Sequence, residues 1–524
     1  MSTKKIWAVL LALFVLATAV SGCGNSGSSS ADSQSGSSAT SENSATSESS
    51  ATSESSASTE DTASTDGEVP TISLMVVCGT TPPDADAVAE KLSEITREKI
   101  GCNVEFITME IGNVAQQLNL LLSGGDDTLD VFMAGISVPY STIVNNGQAL
   151  SLDTLMEPYA EEVKTALGEK VYESGRVNGE LYGIGRLLDQ ASTTCYNLRS
   201  DIAEEFGYKN GDKVDLAELT ELFGKVREKY PDTPLIGPMN GAPSIGDSRI
   251  DSLGNKLGVL DNYGQDTTVT NYYESAGYEE LVGYFKQWKE MGCYMADILN
   301  VTDAPIDYIP SGKAFGCFAS HFSAEMNGIW SSQNFGTDIA SLQIYEDAVA
   351  ITPGAYECIN PATKNPEAAA ALIYLMATDP DVENLLINGI EGQHYQVLED
   401  NTATYVDGKD ISTTGWCLGY SWTALNSTIS IPFEYPADYY DRMLAANKNA
   451  QQSKAFGCQF DLTGVSDAVS ACTNVVNQYE NALSGGAVED FDATLAQFQQ
   501  GLRDAGIDEI VAAKQEQLDA FLAG

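Results

Sequence analysis

Histidine is nearly missing, with two residues in a chain of 524, and basic side chains are scarce at 27 against 74 acidic ones. The net charge of −47 argues against a nucleic-acid binder, which needs a basic face to displace phosphate counterions. It argues equally against flat docking on an anionic lipid surface. Two histidines, His321 and His394, set 73 residues apart in no shared motif, speak against a His-rich metal site. No Gly-x-x-x-x-Gly-Lys-[Ser/Thr], Gly-x-Gly-x-x-Gly, Gly-x-Ser-x-Gly or His-Glu-x-x-His occurs. The acidic run 261–266 lacks the pattern of a calcium loop. Cys-x-x-Cys is missing too, which removes a zinc ribbon and a thioredoxin-like site. Beside Cys23 there are nine cysteines, an odd number that cannot all pair within the chain. Several fall at core-like positions, so mostly free, buried thiols are expected, with one or two bridges left open. No catalytic residue, metal or cofactor is expected.

Apolar residues are plentiful. They make up 43%, with 24 Tyr, 16 Phe and 5 Trp, enough for a large core. Length alone suggests about two or three domains.

The first 68 residues stand apart from this body. Two lysines precede an uncharged apolar stretch, residues 6–20, and then Val20-Ser21-Gly22-Cys23. That order describes a secretory signal and is too short for a membrane span. The cleavage context resembles the lipobox of bacterial lipoproteins. The resemblance implies removal of residues 1–22 and a lipidated Cys23 that anchors the chain by burying acyl CH₂ groups. Of the 45 residues 24–68, 24 are Ser or Thr and none is aromatic or basic. Such a segment cannot bury enough apolar surface to offset backbone entropy, so 23–68 is expected to be a disordered tether. The body from residue 69 carries −41 by itself.

Within the body, strand and helix periods alternate. Residues 72–77 form a short apolar run, as in a buried parallel strand. Val88, Leu92 and Ile95 mark a helix ending at Gly101, and residues 104–107 the next strand. Val114, Leu118, Leu121 and Leu122 give a second helix, and residues 129–133 a third strand. This is βαβαβ, the unit of a parallel sheet covered on both faces. Ligands bind beyond the carboxyl ends of such strands, so the loops 79–81 and 135–137 are site candidates. Asn178-Gly179 predicts a tight hairpin and residues 193–196 a strand. Asn365-Pro366-Glu367 predicts a helix start. Val465, Val469, Cys472, Val476, Tyr479 and Leu483 predict one late helix, and Phe491, Leu495, Phe498 and Leu502 another. Trp330, Tyr356, His394, Tyr395, Trp416, Tyr420, Trp422, Phe433 and Tyr435 read as loop aromatics. A flat ring with a polar edge can cover the CH face of a sugar, so some are expected to line a cleft.

Taken together, lipobox, tether and α/β body resemble family 1 extracellular solute-binding lipoproteins of bacterial ABC importers. Four stretches are similar to the subgroup with an extra C-terminal region: 177–183, 364–369 with 377–379, 388–395, and 505–510 with 514–519. The resemblance implies a periplasmic-binding-protein-like (type II) α/β fold, two lobes joined by hinge crossovers, with a helical C-terminal region. The first lobe would hold 69–185 and 357–400, and the second 192–345 and 401–524. It implies a monomer on the outer face of the cytoplasmic membrane, held by its lipid anchor alone. That monomer would carry a small-molecule solute, an oligosaccharide first of all, to an ABC transporter permease. The implied cleft residues are Gly79, Thr80 and Thr81, then Ser137 and Tyr140, then Arg186, Asp189 and Gln190, then His321 and Phe322. Tyr356 and Trp416 join them as aromatic candidates. The loop after the first strand carries no aromatic, where family members often have one. Two other readings share the anchor: a surface glycoside hydrolase working with two carboxyls, and a receptor of the same fold for a peptide or another solute.

Overall fold

The computed structural model describes residues 69–123, 129–239, 243, 245–410, 412–416 and 423–523. The leader, Cys23 and the tether lie outside the described residues, as do Cys417, Tyr420 and Trp422.

The chain begins as expected. Strand β1 (Thr71–Cys78) has seven consecutive buried residues. It is followed by α1 (Ala85–Lys99), β2 (Asn103–Glu110), α2 (Val114–Ser123) and β3 (Val131–Ala134). The side chains of β1 divide by their period of two: Ile72, Leu74 and Val76 enter one core, Met75 and Val77 another. A continuous apolar run therefore marks a strand covered on both faces. Asn178 (φ 53°) and Gly179 (φ 87°) are both left-handed, the turn that joins the two-residue strands Arg176–Val177 and Glu180–Leu181. Next come β4 (Gly183–Gly185), β5 (Ala191–Arg199), β6 (Gly316–His321), α3 (Ala324–Phe335), β7 (Ile339–Gln343), β8 (Val349–Ala350) and β9 (Tyr356–Ile359).

The first sheet has the order β2-β1-β3-β9-β4. Its pairs β1–β2 and β1–β3 are parallel, while β9 runs antiparallel to β3 and β4. Helices α4 (Pro366–Thr378) and α5 (Pro380–Asn388) bury Leu372, Ile373, Met376 and Leu386 in the same core as Ile72 and Leu74. Pro366 opens α4 as expected, but the side chain of Asn365 makes no capping bond. The second sheet is built around β5, which pairs antiparallel with β6, β7 and β8. After α6 (Tyr439–Asn449), strand β10 (Gln451–Gln452) adds to β8 in parallel. The chain ends in α7 (Ser466–Ser484), α8 (Phe491–Asp504) and α9 (Ile507–Ala523). These helices place Cys472, Leu483, Phe498, Leu502 and Ile510 in the core that also holds Tyr196, Phe223 and Trp288.

One expectation changes, and the expectation of mostly free, buried thiols holds among the described residues. Described residues of 401–433, expected in the second lobe, lie in the first: Ala403, Trp416, Leu425 and Phe433 are buried in the core of the first sheet. Trp416 fixes this path, packing on Phe106 at 5.9 Å and donating its indole N–H to Leu386 O at 3.3 Å. The chain leaves the first core only after Phe433. Cysteine pairing, left open by the sequence, does not occur among the described residues, where all eight cysteines are free and buried.

Candidate functional site

The geometry starts from where the two sheets exchange strands. Ala134, Tyr356 and Gly185 lie in register, so β4 leaves and β9 enters at the carboxyl edge of β1 and β3. Across from them, Ala350 pairs with Ala191 at the start of β5. Residues 186–190 and 351–355 therefore run side by side between the sheets. They are tied at their ends by Arg186 N–H to Ala355 O and Ile351 N–H to Gln190 O, both 3.2 Å. So sparse a ladder leaves several φ/ψ pairs free to absorb a rotation, as hinge segments do. A third passage, residues 434–438, joins Phe433 in the first core to Tyr439, which packs edge-on against Phe322 at 5.4 Å.

Polar residues collect at the facing edges. Gly79, Thr80 and Thr81 follow β1 and are exposed. Ser137, after β3, is half-buried, and its hydroxyl has no protein partner. The loop carrying it turns at Gly135 (φ +108°), where an added Cβ would lie 2.0 Å from Gly354 O. Glycine is required there, because the loop rests directly on the second crossing. On the crossing itself, Asp189 is exposed, and the amide Nε2 of Gln190 is shielded and unpartnered. His321, at the end of β6, lies opposite Thr193 of β5, whose hydroxyl is likewise unpartnered. These are donors and acceptors without protein partners on both sides of the crossings.

Charge here is muted. Burial pulls the His321 imidazole down to about 4, so it is neutral at physiological pH. Asp189 is open to solvent yet lies deep among protein atoms, and desolvation pushes its carboxyl up to about 6 against the pull of Arg186.

The other sequence-nominated residues are packed away. Tyr140 and Tyr356 are 3% and 1% exposed and stack on each other at 4.1 Å. The Tyr140 hydroxyl donates to Gly175 O, and Tyr356 accepts a bond from Gln459 Nε2 at 2.7 Å. Phe322 is buried with Met326 and Met443, and Trp416 lies in the first core. Arg186 is 3% exposed, and its Nε donates to Ala424 O. It supports two wholly buried carboxyls, Glu357 and Glu383. All five were nominated as contacts, and all five hold the walls instead. Of the seven described aromatic candidates read as loops, three lie on elements, Tyr356 on β9, Trp330 on α3 and Tyr395 on the short strand Tyr395–Val397, while His394, Trp416, Phe433 and Tyr435 lie outside helices and strands.

Burial pushes Glu357 and Glu383 up to about 8 from an ordinary 4.5, with Arg186 opposing the shift. In both cases the folded chain holds protons that the unfolded chain releases. Stability should therefore be greatest below about pH 4.5 for these groups, decline as pH rises, and level off beyond about 8. Glu357→Gln should flatten the decline in urea midpoint between those limits; an unchanged slope would show that the cluster does not titrate there.

Sequence reasoning missed two contributors. Asn447 on α6 accepts the N–H groups of Gln190 and Ala191 at 2.9 Å each and donates to Leu188 O at 2.8 Å. One side chain thus satisfies three backbone groups of the first crossing. Tyr439, half-buried, stacks on Tyr435 at 4.0 Å and 14° at the third passage. The i, i+4 spacing of the two tyrosines was the available signal. A separate surface hollow of about 270 Å³ is lined by Tyr294, Asp297, Gly485 and Gly486 and involves none of the crossings. Among the described residues no three His, Cys, Asp or Glu side chains are grouped as a metal site, and no helix is long and apolar enough to cross a membrane.

Comparison with known proteins bears on the whole body. A family model described as a domain of unknown function (DUF3502) matches residues 454–523, which contain α7 to α9. A "Carbohydrate ABC transporter substrate-binding protein" of Streptococcus pneumoniae is 23% identical over 470 residues, 87% of this chain and 92% of the relative. The crystal structure of the N-glycan transport solute binding protein NgtS from Streptococcus pneumoniae superposes with a TM-score of 0.73 at 20% identity, over 87% of this chain and 99% of that one. An HMO-binding, ABC-transporter-associated solute binding protein from Bifidobacterium longum infantis reaches 0.60 at 15% identity, over 86% and 99%.

Proposed function

We propose that this chain, which carries the periplasmic-binding-protein-like α/β fold of extracellular solute-binding proteins, captures an oligosaccharide between its two lobes. It holds the sugar unaltered and delivers it to the permease of an ABC importer. The observation that carries the reading is the pair of crossings, bonded to each other at their ends and flanked on both edges by unpartnered polar groups. Solute touching both edges binds the closed arrangement better than the open one, so it shifts the population toward closure. Thr80, Thr81 and Ser137 would hydrogen-bond from the first lobe; Gln190 and His321 would do so from the crossing and the second. The Tyr435–Tyr439 pair supplies the aromatic wall that the loop after β1 lacks. The names borne by the relatives, carbohydrate, N-glycan and HMO binders, support a sugar over a peptide.

The protein acts as a monomer held on the outer face of the cytoplasmic membrane through acyl chains on Cys23, and it is not an enzyme. A hydrolase would need two carboxyls flanking the sugar. Among the described residues of these edges Asp189 is exposed and makes no ion pair, whereas Asp84 is half-exposed and held by Gln393 and His394, Asp438 is paired with Arg442, and Glu434 accepts a bond from Thr404.

Calorimetry of the purified protein against neutral oligosaccharides tests this, with mass analysis of the recovered sugar. A saturable ligand returned intact is expected, with affinity falling by about tenfold in Gln190→Ala and in His321→Ala. Cleaved sugar, or no saturable sugar at all, would overturn the reading.

A further inference from the structure

We infer that the cleft selects an uncharged glycan and rejects the same glycan bearing a carboxylate. This rests on the oligosaccharide reading above and narrows it to one chemical class.

A bound carboxylate needs a cation or an array of preorganised donors. Neither the loops after β1 and β3 (79–83 and 135–139) nor the second crossing (351–355) contains Lys, Arg or His. The first crossing has one cation, Arg186, but it is 3% exposed and its Nε donates to Ala424 O, so it is not presented to a ligand. His321 is uncharged because it is desolvated.

Three cations around the edges are already committed. Arg442 of α6 is paired with Asp438 at 2.8 Å and Glu325 at 2.9 Å. Arg249 is held by Asp247 at 2.9 Å and Glu280 at 2.8 Å. Lys409 donates to Gln393 O at 2.6 Å. The accessible charge on the first crossing is negative: Asp189 is exposed and Arg186 is buried. At the third passage Glu434 and Asp438 are acidic as well. An incoming carboxylate would therefore lose its water, meet Asp189 and find no counter-charge. A sugar hydroxyl meets a good acceptor in the same carboxylate.

The test uses three ligands at pH 7.5 and low salt. The first is the tightest binder from a neutral trisaccharide panel. The second is that trisaccharide with one primary hydroxyl oxidised to a carboxylate, and the third is the primary amide of the second. Amide and carboxylate have nearly the same shape and differ in charge. The amide should bind about tenfold or more tightly than the carboxylate. Asp189→Asn should narrow that ratio, as should added salt. A carboxylate that binds as well as its amide would overturn the inference while leaving the receptor reading intact. A ratio untouched by Asp189→Asn would remove Asp189 as its source. Failure of every neutral trisaccharide to bind would instead overturn the reading on which the inference rests.

Discussion

Lys514→Met is expected to destabilise the second lobe by about 3–5 kcal/mol, the cost of emptying a buried, fully hydrogen-bonded charge site. Lys514 lies on α9 and is wholly buried. Its Nζ donates to Leu253 O at 3.0 Å, Asn255 Oδ1 at 2.7 Å and Gly258 O at 3.1 Å. The receiving loop is wound for this purpose, with left-handed φ at Leu253, Gly254, Lys256 and Gly258. Burial pulls the ammonium down to about 7, and Asp251 opposes that shift. Three acceptors call for three N–H donors, which the charged form supplies and the neutral amine does not, so the geometry favours the ammonium. Methionine fills the volume but leaves the carbonyl oxygens of Leu253 and Gly258 unsatisfied, while Asn255 Oδ1 keeps the Leu257 N–H at 3.0 Å. Urea unfolding should show the loss, and amide exchange over residues 251–260 should accelerate. A midpoint within error of the parent would mean that the helical C-terminal region is not anchored through this contact.

Gly135→Val should have the second largest effect, and it should fall on function. A Cβ at residue 135 would lie 2.0 Å from Gly354 O, and φ of +108° is closed to a β-branched residue. The loop after β3 must then lift from the second crossing and carry Ser137 with it. Solute affinity is expected to drop by about a hundredfold, with roughly 3 kcal/mol lost in stability. Gly112→Ala is the control. Nothing lies within 4 Å of its added Cβ, and stability there should change by no more than about 0.5 kcal/mol. Parental affinity in Gly135→Val would show that the loop does not shape the site.

What the sequence disclosed and what it hid have physical causes. The β1 run was legible because both its faces are buried, and the hairpin at Asn178-Gly179 because few residues adopt two left-handed angles in succession. Of the C-terminal helices, α7 and α8 were legible from their period, while α9 was marked only by the resemblance stretches 505–510 and 514–519. Their anchoring was not legible, since Lys514 in a helix reads as a solvated charge and its partners lie more than 250 positions earlier. The resemblance stretch 514–519 gains a reason from the structure. Gln515 Oε1 accepts Val269 N–H at 2.6 Å, Gln517 Oε1 accepts Asp461 N–H at 2.7 Å, and Leu518 is fully buried. In 388–395, an added Cβ on Gly389 would meet His394 Nδ1 at 2.3 Å. That nitrogen accepts Ile390 N–H at 2.9 Å, which leaves the proton on Nε2 facing Asp84 at 3.1 Å.

The edges that make up the candidate site were legible from topology, and the exposure of its residues less so. Strand ends located the edges that carry Thr80, Ser137, Asp189 and His321. Exposure cannot be read from residue type, so Tyr140, Tyr356 and Arg186, plausible contacts in a list of letters, proved to be packing. The described residues of 401–433 were misassigned because they carry no long periodic element, and their anchor, Trp416, reads equally well as a surface ring.

Small-angle scattering of the purified protein, with and without a saturating neutral oligosaccharide already shown to bind, tests the hinge most directly. Closure about the crossings predicts a smaller radius of gyration in the bound state and its return when the sugar is dialysed away. An unchanged radius with the sugar bound would contradict two lobes closing on a solute.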